Sequence, residues 1–238
     1  MKIPGPRSVD RRRSPRPVLH SISVPLPVVR TWRGQRVADF FQLPPAPEPT
    51  DVAGPPQSLP IPRTGQLMLI TGASGSGKST LLRQIIANEQ STGRRTIDLA
   101  RLVLPDVPVV DCLPDLPLEA ALALLGRMGL GEAWTYLRTP AELSDGQRWR
   151  LRLAVALHEF EREPDRPAVL VCDEFAALLD RVTAAIVSRS IRKVIAAHAN
   201  LAAVVATSHD DVVQPLAPDR IVRCDFGVFT SLSGDDIE

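Results

Sequence analysis

The segment Gly72-Ala73-Ser74-Gly75-Ser76-Gly77-Lys78-Ser79-Thr80 constrains this chain more than any other stretch. Its glycines let the backbone turn tightly and aim successive N–H groups at one point. The apolar run Gln66–Thr71 precedes it and reads as a buried strand, while Ser79–Asn88 reads as a helix. A helix start adds the positive end of its dipole, so strand, glycine loop and helix together make a cradle for phosphate. Lys78 is expected to reach the β- and γ-phosphates of a nucleotide, and the Ser79 hydroxyl to ligate Mg²⁺. Thr80 is expected near the α-phosphate.

A second segment fits the same chemistry. Ala168-Val169-Leu170-Val171-Cys172 is an apolar run that ends in two carboxylates, Asp173 and Glu174. A buried strand can deliver Asp173 to the nucleotide edge, where it would hold Mg²⁺ through water. Glu174 is then placed to polarise an attacking water. Cys172 lies inside the run and reads as core rather than as a reactive thiol.

The order of the remaining segments sets the fold class. Val109–Cys112, Leu201–Thr207 and Arg220–Cys224 read as further strands, and Leu118–Met128, Gln147–Glu159 and Val182–His198 as helices. Strands alternating with helices predict an α/β fold with a mostly parallel sheet covered on both faces. On the 182–198 helix, Arg189, Arg192 and Lys193 read as the solvated face. Trp134, Tyr136 and Trp149 read as packing.

Residues 1–63 have a different character. They hold 14 of the 23 prolines, and residues 1–36 carry nine Lys or Arg against the single acid Asp10. Proline removes backbone donors, so an irregular Pro/Arg-rich arm is expected over 1–63, then a folded domain over 64–230 and a tail over 231–238. Arg11-Arg12-Arg13 is a candidate contact to nucleic acid, or simply a solvated arm. Val37–Phe41 is an apolar island suited to docking on the folded domain. The whole chain is close to neutral, with a formal net charge of +1, which excludes nucleic-acid binding through bulk charge. Three cysteines without metal spacing exclude a secreted disulfide scaffold and point to the cytoplasm. No run is long and apolar enough to insert in a membrane.

Between the two phosphate-site segments stands Leu143-Ser144-Asp145-Gly146-Gln147. After the acids come Leu178-Leu179-Asp180 and then Thr207-Ser208-His209. Glycine-rich loop, L-S-x-G-Q, acidic pair, L-D turn and strand-end histidine stand in the order found in ABC-type ATPases. The chain resembles that family over about residues 64–225. The absence of an N-K-x-D motif, and the presence of L-S-x-G-Q, set it apart from GTPases and phosphate-loop kinases. The resemblance implies an ATP- and Mg²⁺-dependent ATPase that closes as a homodimer around ATP. By that likeness Ser144, Gly146 and Gln147 form a signature loop that contacts the γ-phosphate held by a second subunit. Leu179-Asp180 is the turn at the dimer interface. His209 is the switch that touches the γ-phosphate and orients Glu174.

The sequence also departs from the family. Asp145 replaces a glycine, and a carboxylate near phosphate is unfavourable. Either its side chain points away and caps the helix, or activation in trans is weak. No glutamine occurs between Gln90 and Gln147, so the family's Q-loop residue is missing, with Asp111 as a candidate substitute. Only 66 residues separate Lys78 from Ser144, which implies a reduced helical subdomain. Phe40, Phe41 and Trp32 are candidates for stacking on adenine. The motif wording is similar to soluble members that serve no transporter. The expected function is therefore a nucleotide-driven dimerisation switch acting on a client protein. The alternatives are the ATP-binding subunit of a transporter with a separate permease, and a binding module with little turnover that contacts nucleic acid.

Overall fold

The computed structural model describes residues 18–21, 31–42, 61–225 and 228–233. One seven-stranded sheet organises them, with elements β1 (Val18–Ser21), β2 (Leu67–Thr71), β3 (Arg95–Asp98), β4 (Ala168–Cys172), β5 (Leu201–Thr207), β6 (Arg220–Asp225) and β7 (Val228–Ser233). The strand order is β1-β7-β6-β2-β5-β4-β3. Strands β6, β2, β5, β4 and β3 run parallel, and β7 and β1 add two antiparallel strands at one edge. The expected mostly parallel α/β fold is what the chain adopts.

The helices are α1 (Trp32–Phe40), α2 (Lys78–Ser91), α3 (Leu118–Arg127), α4 (Ala133–Tyr136), α5 (Asp145–Glu161), α6 (Arg181–Ala197) and α7 (Val213–Leu216). Strands β2, β4 and β5 are buried along their whole length, so their residues feed two apolar layers in alternation. Met68, Ile70, Val169 and Val171 pack beneath α2 through Leu81 and Ile85. Leu67, Leu69, Leu170 and Cys172 face the opposite layer, with Leu153 and Leu157 of α5 and Val187 and Ile191 of α6. Only the short helices α3 and α4 stand between β3 and α5. The helical subdomain is thus small, as the spacing from Lys78 to Ser144 implied.

Five expectations need correcting. Val109–Cys112 is a 3-10 turn, not a strand. Prolines at 105, 108, 114 and 117 bracket it and deny it a ladder, and Val109 N–H bonds the Arg138 carbonyl instead. The strand in that part of the chain is β3, which pairs with β4 in register Asp98 to Val171. Arg192 is not simply solvated. It makes two bonds to Asp219, at 2.6 and 3.1 Å, and Asp219 also accepts the Leu67 N–H at 2.7 Å, tying α6 to the start of β2. Trp134 is exposed rather than packed. The apolar island Val37–Phe41 forms the end of α1 and its cap, and Val37, Phe40 and Phe41 are exposed rather than docked. Finally, β7 runs across the expected boundary at 230, and Val18–Ser21 of the arm pairs with it. Arg11–Arg13 lies outside the described residues.

Candidate functional site

The phosphate loop leaves β2 at Gly72 and enters α2 at Lys78. Gly72 has φ +147°, and a Cβ there would collide with the Cys224 carbonyl and come within 2.8 Å of the Ser76 hydroxyl. Gly77 caps α2 at φ +103°, a left-handed conformation that a side chain would resist. Among the described residues no side chain caps the first turn of α2, so its backbone donors face the loop. Lys78 Nζ folds back to the carbonyls of Gly72 and Ala73, 2.8 Å from each. Ser76 is buried, and its hydroxyl has no hydrogen-bond partner among the described residues.

A cleft of about 360 Å³ opens over this loop. Ser74, Gly75, Gly77, Lys78, Ser79 and Thr80 line one side, with Asp173, Glu174, Ala177, Thr207 and Ser208 facing them. The predicted cation, hydroxyls and acidic pair therefore meet in one place. Gly72, Ala73 and Ser76 build the loop without lining the cleft. The residues fit a nucleotide triphosphate with its magnesium: an open helix start, a lysine, a hydroxyl and a single aspartate. Among the described residues no group of three or more His, Cys, Asp or Glu could hold a metal ion.

Glu174 is held in an uncommon backbone state. Its φ is +49° and that of Ala176 is +58°, a conformation that costs about 1–3 kcal/mol for a side-chain-bearing residue in a constrained site. The segment persists because it is pinned. Glu174 N–H donates to Asp173 Oδ1 at 3.0 Å. Phe175 N–H donates to the Ala206 carbonyl at 2.7 Å, and the Thr207 hydroxyl donates to the Phe175 carbonyl at 3.0 Å. Cys172 is fully buried, and burial pushes its thiol up, with the carboxylates of Asp98 and Asp173 adding to the effect. It is core, as expected.

Ser144, Gly146 and Gln147 stand elsewhere, at the start of α5, and none of them lines the cleft. Ser144 and Gln147 bond each other reciprocally: Ser144 Oγ accepts the Gln147 N–H at 3.3 Å, and Gln147 Oε1 accepts the Ser144 N–H at 3.1 Å. Asp145 points outward and pairs with Arg148 at 3.0 Å. The same guanidinium donates to the carbonyls of Pro140 and Leu143 at 2.9 and 2.8 Å. Asp145 does not cap the helix, a place taken by Ser144; its exposed carboxylate pairs with Arg148 instead. Asp180 caps α6, accepting from the N–H groups of Val182 and Thr183 and from the Thr183 hydroxyl, at 3.0, 3.0 and 2.6 Å. The Thr183 bonds lead in holding its carboxyl below the ordinary value. His209 follows the cleft-lining Ser208 but does not itself line the cleft, and it is exposed.

Asp111 lies exposed on the 3-10 turn, and it is Asp98 that ends the strand beside β4. Sequence reading missed Asp98 because its strand carries a single strongly apolar residue, Ile97. It also passed over Thr207 and Ser208 as site residues, although their place just before His209 was visible.

Comparison with known proteins agrees with this geometry. A family model described as the AAA domain matches residues 62–210. The aliphatic sulfonates import ATP-binding protein SsuB 2 of Mesorhizobium japonicum is 31% identical over 191 residues, which cover 73% of this chain and 72% of that protein. The methionine import ATP-binding protein MetN 1 of Pseudomonas fluorescens is 32% identical over 210 residues, covering 73% of this chain but only 59% of that protein. Among solved structures, the dimeric form of the bacterial ABC transporter cassette MJ0796 matches with a TM-score of 0.53 at 20% identity, covering 71% of this chain and 84% of that one. That last likeness is one of fold. With its phosphate loop, acidic strand end and signature helix on this sheet, the chain belongs to the ABC-type ATPases of the P-loop NTPase superfamily.

Proposed function

We propose that the chain binds ATP with Mg²⁺ in the cleft, closes against a second copy and hydrolyses the nucleotide. The convergence of Lys78, Ser79, Asp173 and Glu174 on one cleft carries this reading. Gly72–Thr80 cradles the phosphates, and Ser79 and Asp173 would hold the magnesium, which would supply positive charge to offset that of the phosphates. Lys78 exchanges its two loop carbonyls for phosphate oxygens. Glu174 takes a proton from water as that oxygen attacks the γ-phosphorus. The bond to the bridging oxygen breaks, and ADP and phosphate leave. His209 orients Glu174. Ser144, Gly146 and Gln147 of each copy meet the nucleotide held by the other.

The relatives favour a particular setting. The sulfonate and methionine proteins are named as import ATP-binding proteins. They support a subunit that works with a separate membrane partner more than the stand-alone switch expected from the sequence. No helix among the described residues is long and apolar enough to cross a membrane. The lack of a glutamine between Gln90 and Gln147 is the observation that still favours work on a client other than a transporter.

The decisive experiment compares wild-type protein with Glu174→Gln. Wild type is expected to release phosphate from ATP with Mg²⁺. The variant is expected to lose about a thousandfold in turnover, the range for a general base, and to remain a dimer in ATP. A wild type that binds ATP without releasing phosphate would overturn the hydrolytic reading. Fractionation of the trapped variant in its own cells then separates the settings: sedimentation with membranes supports the transport partner, and a wholly supernatant protein supports the other client.

A further inference from the structure

We infer that Trp149 and Phe175 are positioning residues that couple the signature loop to Glu174 within one subunit. The inference rests on the proposed engagement of Ser144–Gln147 by a partner's nucleotide. The signature loop does not line the cleft, but the two regions are joined in the core. One turn into α5, the Trp149 ring meets the Phe175 ring edge to face, with centroids 5.4 Å apart and planes at 79°. Both are buried, at 8% and 0% exposure. A second contact lies beside the first. Gly146 abuts the loop after Glu174 so closely that a Cβ would sit 2.8 Å from the Leu178 carbonyl and 3.3 Å from the Leu179 side chain.

Phe175 directly follows Glu174, so its placement and the backbone state of Glu174 are not independent. On one side its N–H and carbonyl are fixed to Ala206 and Thr207 of β5. On the other side its ring is fixed to α5. The residues on both flanks, Glu174 and Ala176, take the left-handed conformations. Rotating Glu174 out of that state swings the Phe175 ring against Trp149 or breaks the bonds to β5. The start of α5 is stiff as well, through the Ser144–Gln147 pair and the Arg148 clamp. Packed elements of this kind shift between discrete arrangements rather than deform smoothly. A displacement of α5 therefore reaches Glu174 through the aromatic pair, so occupancy at one nucleotide sets the catalytic carboxylate at the other.

The test uses full-length wild type, Trp149→Ala, Trp149→Phe and Phe175→Leu. Phosphate release is measured against ATP concentration, ADP binding by calorimetry, and thermal stability for each. Trp149→Ala and Phe175→Leu are expected to lose about tenfold to a hundredfold in turnover, the scale of a catalytic group displaced by about 1 Å. Both are expected to become non-cooperative in ATP, with ADP affinity within about twofold of wild type. Trp149→Phe is expected to recover most of the turnover. Lower stability with turnover per folded molecule and cooperativity unchanged would overturn the link. Amide exchange at Phe175 tests it without hydrolysis, so a wild type that proves inactive leaves it still open to judgement. Exchange about tenfold faster in Trp149→Ala, confined to residues 174–179, supports the link. Unchanged exchange there would sink it.

Discussion

Helices α2 and α5 both begin where an anion is expected, but they begin differently. Behind α2 stands Gly77, left-handed and without a side-chain bond to the first turn. Behind α5 stands Ser144, whose hydroxyl occupies the Gln147 N–H while Gln147 occupies the Ser144 N–H. The first helix start is open in the lone chain. The second is closed on itself, with an acid, Asp145, in its first turn. A phosphate that meets α2 finds its donors waiting. One that meets α5 has to displace bonds worth about 1 kcal/mol. The difference matches the proposed division of labour, in which one subunit binds nucleotide by itself and the signature loop engages only on closure.

Removing Lys78 breaks the comparison most severely. Lys78→Ala deletes the one charged donor of the open loop, and charge-assisted bonds are worth about 1.5–3 kcal/mol each. ATP affinity by calorimetry is expected to fall about a hundredfold. A change of less than about threefold would mean that the lysine stays on the carbonyls of Gly72 and Ala73 when nucleotide binds.

Ser144→Ala acts on the closed loop and separates stability from binding. Loss of the cap is expected to cost about 1 kcal/mol. That lowers the melting temperature by about 2–4 °C for a domain of this size. ATP affinity of the single subunit should not change, because Ser144 does not line the cleft. A parallel loss of monomer affinity would show that the two loops are not separate within one chain.

These two loops also differ in how much of them the sequence displayed. Gly72–Thr80 is legible because its geometry needs glycine, and glycine at a left-handed φ is a backbone requirement written in residue type. Strand β4 is legible for a related reason: burial on both faces forces an unbroken apolar run. Strand β3 was not legible. It lies at the sheet edge, where Arg95, Thr96 and Asp98 are tolerated and only Ile97 is deeply buried. Val109–Cys112 carries the stronger strand-like pattern and yet forms a turn, because Val109 and Cys112 are buried in the core without any ladder. Arg192 illustrates the same limit. Its partner Asp219 is distant in sequence, and no local pattern shows that their bond closes α6 onto β2. The Trp149–Phe175 contact joins two motifs that were each visible, but their adjacency is a product of the fold.

The Asp219 contact gives a pH dependence for the floor beneath the open loop. Burial raises its carboxyl, but the bonds from Arg192 and the Leu67 N–H outweigh it and leave the group below its ordinary value. A lowered folded value means stability that is fully present above the unfolded value of about 3.9. It is lost as pH falls through the lower, folded one. The pair is partly exposed, so screening limits its worth to under about 1 kcal/mol. In acid melts, Asp219→Asn is expected to be less stable than wild type above about pH 5, with the gap closing as pH falls below about 3.9. A gap that persists in acid would assign the loss to packing rather than charge.

The smallest expected effect bears most directly on the closed loop. Asp145 has two opposed consequences. In the first turn of α5 its charge suits the helix dipole, by about 0.3–1 kcal/mol. Toward an arriving phosphate the same charge is repulsive, and its pairing with Arg148 only partly offsets this. Asp145→Asn separates the two. The single chain should lose a few tenths of a kcal/mol. ATP-dependent dimerisation, measured by sedimentation in the Glu174→Gln background, should strengthen about threefold at low salt and lose that gain near 1 M salt. Arg148 stays on the carbonyls of Pro140 and Leu143 in this variant, so the loop keeps its shape while one of its guanidinium nitrogens is released. Weaker dimerisation at every salt concentration would reverse the assignment, making the Asp145–Arg148 pair a support for closure, with the open start of α2 the only anion site that needs no help.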